Sequence, residues 1–87
     1  MNNNKLLPIG SIIKVQKSDV YLMIYGYVNS NKKIENDYYD YFCCIYPTGI
    51  NGKDSILVKK EKIDKVIFIG YQDTKFANFI ELLNNKN

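Results

Sequence analysis

The chain has 87 residues, 46% of them hydrophobic and 24% charged, and its formal net charge of +3 rests on 12 lysines, with no arginine and no histidine. One domain of this size buries a little over roughly 60% of the surface its unfolded chain exposes, and the composition is that of a globular chain, not a disordered one. It excludes imidazole chemistry, removes the planar guanidinium fork that suits phosphate and guanine, and offers no apolar run near the roughly 18 residues of a membrane helix.

Residues 1–5 read as a polar tail and residues 6–87 as a single domain. Pro8 and Gly10 bend the chain before residues 11–16, the first expected strand. Lys17, Ser18 and Asp19 form a turn, after which residues 20–28 alternate aliphatic and tyrosine side chains, the period-two pattern of a strand. Strict alternation puts Val20, Leu22, Ile24 and Val28 on one face and Tyr21, Met23, Tyr25 and Tyr27 on the other. Gly26 and Gly70 are expected to stand where they do for backbone reasons, a bulge or a close crossing. A polar turn at residues 29–33 makes a hairpin with residues 38–46, which Pro47, Thr48 and Gly49 terminate.

After a loop over residues 50–54 comes a short strand at 55–58. Residues 59–64 form a polar turn, or one helical turn. Residues 66–69 are apolar on both faces, as a central strand would be. Asp73 or Thr74 can cap a helix, and Phe76, Phe79, Ile80 and Leu83 follow at i, i+3, i+4 and i+7, so a helix over residues 74–85 should bury these four. The expected fold is α+β, mainly β: about five antiparallel strands in a small SH3-like half-barrel, with one C-terminal helix across an opening.

No residue set points to catalysis. Cys43 and Cys44 are adjacent on a strand, so their side chains diverge, no histidine completes a metal site, and two thiols are too few for a secreted disulfide scaffold. They read as small buried hydrophobes. With no apolar leader in the first residues, a reducing cytoplasm is the expected compartment. Ser11, Ser18, Ser30 and Ser55 lack a general base. Glu35, Asp37 and Asp40 read as solvated charges that discourage edge pairing, and the lysines at 59, 60, 62 and 65 are offset by Glu61 and Asp64. No cofactor and no metal are expected.

Eight tyrosines and four phenylalanines are many for 87 residues. The face bearing Tyr21, Tyr25 and Tyr27 is the candidate binding surface, because tyrosine gives large contact area at low entropic cost. The same tyrosines could instead pack a barrel interior, or stack bases as a single-stranded nucleic-acid-binding barrel does.

Taken in order, Leu6-Leu7-Pro8-Ile9-Gly10-Ser11, Leu22-Met23-Ile24-Tyr25-Gly26, Tyr39-Asp40-Tyr41, Tyr46-Pro47-x-Gly49 and Ile63-Asp64-Lys65-Val66-Ile67-Phe68-x-Gly70-Tyr71 resemble the small bacterial family called domain of unknown function 4176, over about residues 6–83. Cys43 and Cys44 stand outside that pattern. Members of the family occur beside genes for type VII secretion and LXG toxins in Gram-positive bacteria. The resemblance implies a cytoplasmic, non-catalytic accessory or chaperone-like protein that binds such a toxin or a secretion component. An immunity protein is the neighbouring reading. The matching residues are turn glycines, a proline and core positions, so the resemblance assigns no contact residue.

Overall fold

A computed structural model describes residues 6–28, 39–50, 52 and 55–84. The tail at 1–5, the expected turn at 29–33, and Glu35 and Asp37 lie outside the described residues. In chain order the elements are β1 (Ile12–Val15), β2 (Tyr21–Tyr27), β3 (Tyr41–Ile45), β4 (Ile56–Val58), a 3-10 turn (Lys60–Lys62), β5 (Ile63–Phe68) and α1 (Thr74–Asn84). The strands form one antiparallel sheet in the order β4-β3-β2-β1-β5. This is the α+β, mainly β architecture that the sequence predicts.

The sheet has to curl. Val58 ends one edge strand and Ile63 begins the other, five residue steps away, so the link spans at most about 18 Å even when fully extended. Four inter-strand spacings in a flat sheet come to about 19 Å. The link is also shortened by its 3-10 turn, which advances only about 2 Å per residue. The edges are therefore drawn together, and Gln16 N–H donates to the Lys62 carbonyl at 2.9 Å where the turn meets the end of β1.

The inner face of the curl holds the core. Ile13, Ile24 and Cys43 are fully enclosed, with Leu22, Tyr41 and Val58 beside them. Leu6 and Leu7 pack over this cluster and Pro8 is buried, so the segment ahead of β1 lies across the inner face as a strap. Two phenols hold it: Leu7 N–H donates to the Tyr41 hydroxyl at 3.0 Å, and the Tyr27 hydroxyl donates to the Leu7 carbonyl. One residue's donor and acceptor are both satisfied, as a backbone pressed against an apolar core requires.

Where the strap turns into β1, it meets the segment leading from β5 to the helix. Gly70 N–H donates to the Ser11 hydroxyl at 2.9 Å, and Ser11 is completely buried. A Cβ at Gly70 would stand 2.2 Å from the Ile9 carbonyl oxygen, so only glycine fits this crossing. The close approach expected at Gly70 is thus present. At Gly26 the expected bulge is present, as a register shift between Ile24 and Gly26. A Cβ there would meet Phe42 at an ordinary 3.5 Å, with no close backbone crossing.

Two expectations fail. The fifth strand is an edge strand, not a central one, and Val66, Ile67 and Phe68 are exposed. Its two-sided apolar character arises because Val66 lies opposite Ile13 of the core, whereas Phe68 lies opposite Ile12 on the other face of the sheet. The four helix residues expected to be buried are not: Phe76, Ile80 and Leu83 are half-buried, and Phe79 is 41% exposed. The strap already covers the inner face, so α1 reaches the core only at its margin, with the Phe79 ring 5.5 Å from that of Tyr27 and Phe76 and Ile80 flanking a groove beside Leu6. Its start is capped as the sequence predicts, by Asp73, whose carboxylate accepts from Phe76 N–H at 3.0 Å.

Candidate functional site

Directly opposed residues in antiparallel strands share a face, so the register assigns the three candidate tyrosines. Tyr21 lies opposite Lys14, on the outer face, and is 39% exposed. Tyr25 is the extra residue of the β2 bulge, with its ring 6.2 Å from that of Phe42. Phe42 sits between the core residues Tyr41 and Cys43 and therefore points outward. Tyr27 lies opposite Tyr41 and so belongs to the inner face, its ring 6.0 Å from that of Tyr41. The single tyrosine face expected from strict alternation is split by the bulge: Tyr21 and Tyr25 stay outside, while Tyr27 turns in to hold the strap and the helix.

The phenols around the strap are held protonated. Burial pushes both Tyr27 and Tyr41 up to about 12, and Tyr27 is raised further by its closeness to Tyr41. Cys43, enclosed in the core, is pushed up to about 12 by burial and then by its neighbour Cys44. A thiol so raised is a poor nucleophile. The two cysteines diverge as their adjacency requires, Cys43 inward and Cys44 outward beside Met23. Asp40 is engaged structurally, its carboxylate accepting from Lys60 N–H at 2.8 Å at the start of the 3-10 turn. Ser11 is the buried acceptor for Gly70.

What the outer face offers is a row of opposed side chains. Phe68 on β5 faces Ile12 on β1, Ile12 faces Met23 on β2, and Met23 faces Cys44 on β3, so four apolar residues cross four strands. Ile12 and Cys44 are screened by their neighbours, but Phe68 is 61% exposed, and with Tyr21, Tyr46 and Ile67 it walls a depression over Ile12. Alongside runs a second row, Lys65 opposite Lys14 opposite Tyr21. Lys14 is ion-paired with Asp64 at 3.0 Å. Sequence reasoning missed the first row. Its signal is the two-sided apolar character of residues 66–69, which predicts a central strand but reflects an outer face that is itself apolar.

Aromatic, methionine and aliphatic side chains enriched over charge are what the centre of a protein–protein contact contains. Among the described residues, no group of three or more histidine, cysteine, aspartate or glutamate side chains comes together to hold a metal. No helix among them is long and apolar enough to cross a membrane.

The family model described as Domain of unknown function (DUF4176) matches residues 6–79. The chain belongs to that family. Within the family match fall the strap, all five strands and the Ser11–Gly70 crossing, together with the first turn of α1. Comparison with curated proteins and with solved structures found no match.

Proposed function

We propose that this DUF4176 protein is a non-catalytic binding module that holds a protein partner on the outer face of its sheet, and that the partner is an LXG-type toxin of type VII secretion or a component that travels with it. The class of partner is what the family resemblance implies, since members of the family occur beside genes for such toxins. The surface comes from one observation, the apolar row Phe68–Ile12–Met23–Cys44 flanked by Tyr21 and Tyr46. Aromatic residues grouped on one exposed face mark a surface suited to contact. The protein would act in the cytoplasm, before export, as an accessory or chaperone-like factor.

The test is co-expression with an LXG-type toxin encoded beside the gene, followed by capture on a tag carried by the toxin. The two proteins should co-purify, and Tyr21→Ala combined with Tyr25→Ala should abolish capture while leaving the melting temperature within a few degrees. Failure of any neighbouring toxin or secretion protein to co-purify would refute the reading. Salt-sensitive, micromolar binding of single-stranded oligonucleotides by the same face would replace it with nucleic-acid recognition.

A further inference from the structure

We infer that the outer face receives an amphipathic helix from the partner, apolar along one side and bearing a carboxylate where it passes Lys65. This rests on the binding-module reading and adds the chemistry of the segment that is bound.

The first argument concerns hydrogen bonds. β1, β2 and β3 are each paired on both sides, so their backbone groups are already engaged and the face they present offers only side chains. A segment lying on this face must satisfy its own N–H and C=O groups. A helix does so, whereas a lone extended strand does not.

Strand addition at an edge is the other route, and both edges are poor for it. β4 has only three residues. The register of β5 against β1 skips twice, at Asp64 and at Ile67, and bulges and charges of this kind blunt an edge against pairing. The apolar row is the right size for a helix: three inter-strand spacings give about 14 Å, or between two and three helical turns.

The second argument is charge. Lys65 and Lys14 stand directly opposite each other on the outer face, an arrangement of like charges that disfavours the pair. Asp64 reaches Lys14. Among the described residues, Lys65 has no carboxylate of its own. An acidic side chain on the incoming helix would supply one, at the rim of the apolar row where an ion pair stays hydrated and fixes orientation.

Three synthetic peptides of one composition class test this by titration into the isotope-labelled full chain at low salt, read by amide chemical shifts. The first is a helix of about four turns with leucine at i, i+3, i+4 and i+7 and glutamate at one flank. The second carries lysine in place of glutamate. The third rearranges the first into strict alternation. The glutamate helix should bind and shift Ile12, Met23 and Phe68, and the lysine helix should bind roughly fivefold more weakly, the effect of one exposed ion pair. Lys65→Glu should reverse that order, and Phe68→Ala should weaken both by roughly tenfold, with unchanged circular dichroism in each variant.

The inference is overturned if no helical peptide binds, if the alternating peptide binds as well, if the shifts follow the free edge of β4 or β5, or if Lys65→Glu leaves the order unchanged. A toxin that co-purifies equally well with the Phe68→Ala, Lys65→Glu double variant would overturn the helix-docking assignment and the choice of surface, and leave standing only the reading that the protein binds a toxin. If the glutamate helix binds as stated and no toxin co-purifies, the inference is upheld and only the proposed partner falls.

Discussion

Replacing Gly70 with alanine places a methyl carbon 2.2 Å from the Ile9 carbonyl oxygen and 3.0 Å from both the Ile9 carbonyl carbon and the Ser11 nitrogen. A relaxed carbon–oxygen contact needs about 3.3 Å, so the strap and the β5–α1 segment must part by about 1 Å. Backbone lies on both sides, and no side chain can swing away. Overpacking of this kind costs about 1–3 kcal/mol. The separation also breaks the 2.9 Å bond from Gly70 N–H to the buried Ser11 hydroxyl, and stranding those groups costs about 1–3 kcal/mol more. The total, about 2–6 kcal/mol, is a large part of the roughly 4–13 kcal/mol that a domain of this length possesses. Urea unfolding followed by circular dichroism measures it directly. Ser11→Ala, which removes only the acceptor, should fall near the lower half of that range. Gly26→Ala, whose Cβ finds Phe42 at 3.5 Å, should lie within about 1 kcal/mol of the parent. A Gly70→Ala protein as stable as Gly26→Ala would refute the account of the crossing.

Phe79→Ala should destabilise by only about 1 kcal/mol, far less than the 3–5 kcal/mol of a buried phenylalanine, because its ring is 41% exposed and meets Tyr27 alone among the aromatic side chains of the described residues; thermal unfolding would show it. Tyr27→Phe deletes the donor to the Leu7 carbonyl and should cost about 1–2 kcal/mol, with faster amide exchange in the strap as the distinguishing sign. Stability should be insensitive to these phenols and to Cys43 below pH 9 and should fall from pH 9 to 12: the unfolded chain releases the Cys43 proton near 9.0 and the Tyr27 and Tyr41 protons near 10.0, while the folded chain holds all three to about 12. Urea midpoints measured across that interval check the sign, and a midpoint that rose with pH would contradict the burial of these groups.

Most elements were legible because their signals are local. The period-two run at residues 20–28 located β2, and apolar runs bounded by turn formers located the other four strands, although β5 begins at Ile63 inside the polar turn expected at 59–64. The i, i+3, i+4, i+7 spacing after Asp73 located the helix. The Gly70 crossing was also legible, since a glycine between an apolar run and a helix is often where backbones touch. What escaped were the features that depend on which surface meets which. Leu6, Leu7 and Pro8 are too few to read as an element, yet they occupy the space that the helix was expected to fill. An edge strand with one apolar side turned to the core and the other to an apolar outer face has the same composition as a central strand. The candidate tyrosines were found as a group but divided wrongly, because an inserted residue leaves no mark in the sequence beyond the Gly26 that accompanies it.

That inserted residue makes β2 a strand read in two phases. Before Tyr25, odd-numbered positions face outward and even-numbered ones inward; by Tyr27 the parity has reversed. One seven-residue strand thereby presents tyrosine to the outside at one end and to the strap at the other. Substitution scanning along β2 should therefore yield a pattern that changes frame midway, with binding lost at odd positions up to Tyr25 and stability lost at Tyr27. Deleting Tyr25 would remove the bulge and leave a regular alternation, with Gly26 outward opposite Phe42 and Tyr27 still inward opposite Tyr41, so the strap keeps its donor and the outer face loses an aromatic ring. The bulge is thus the device by which a short sheet adds a ring to one surface without giving up the anchor that closes the other.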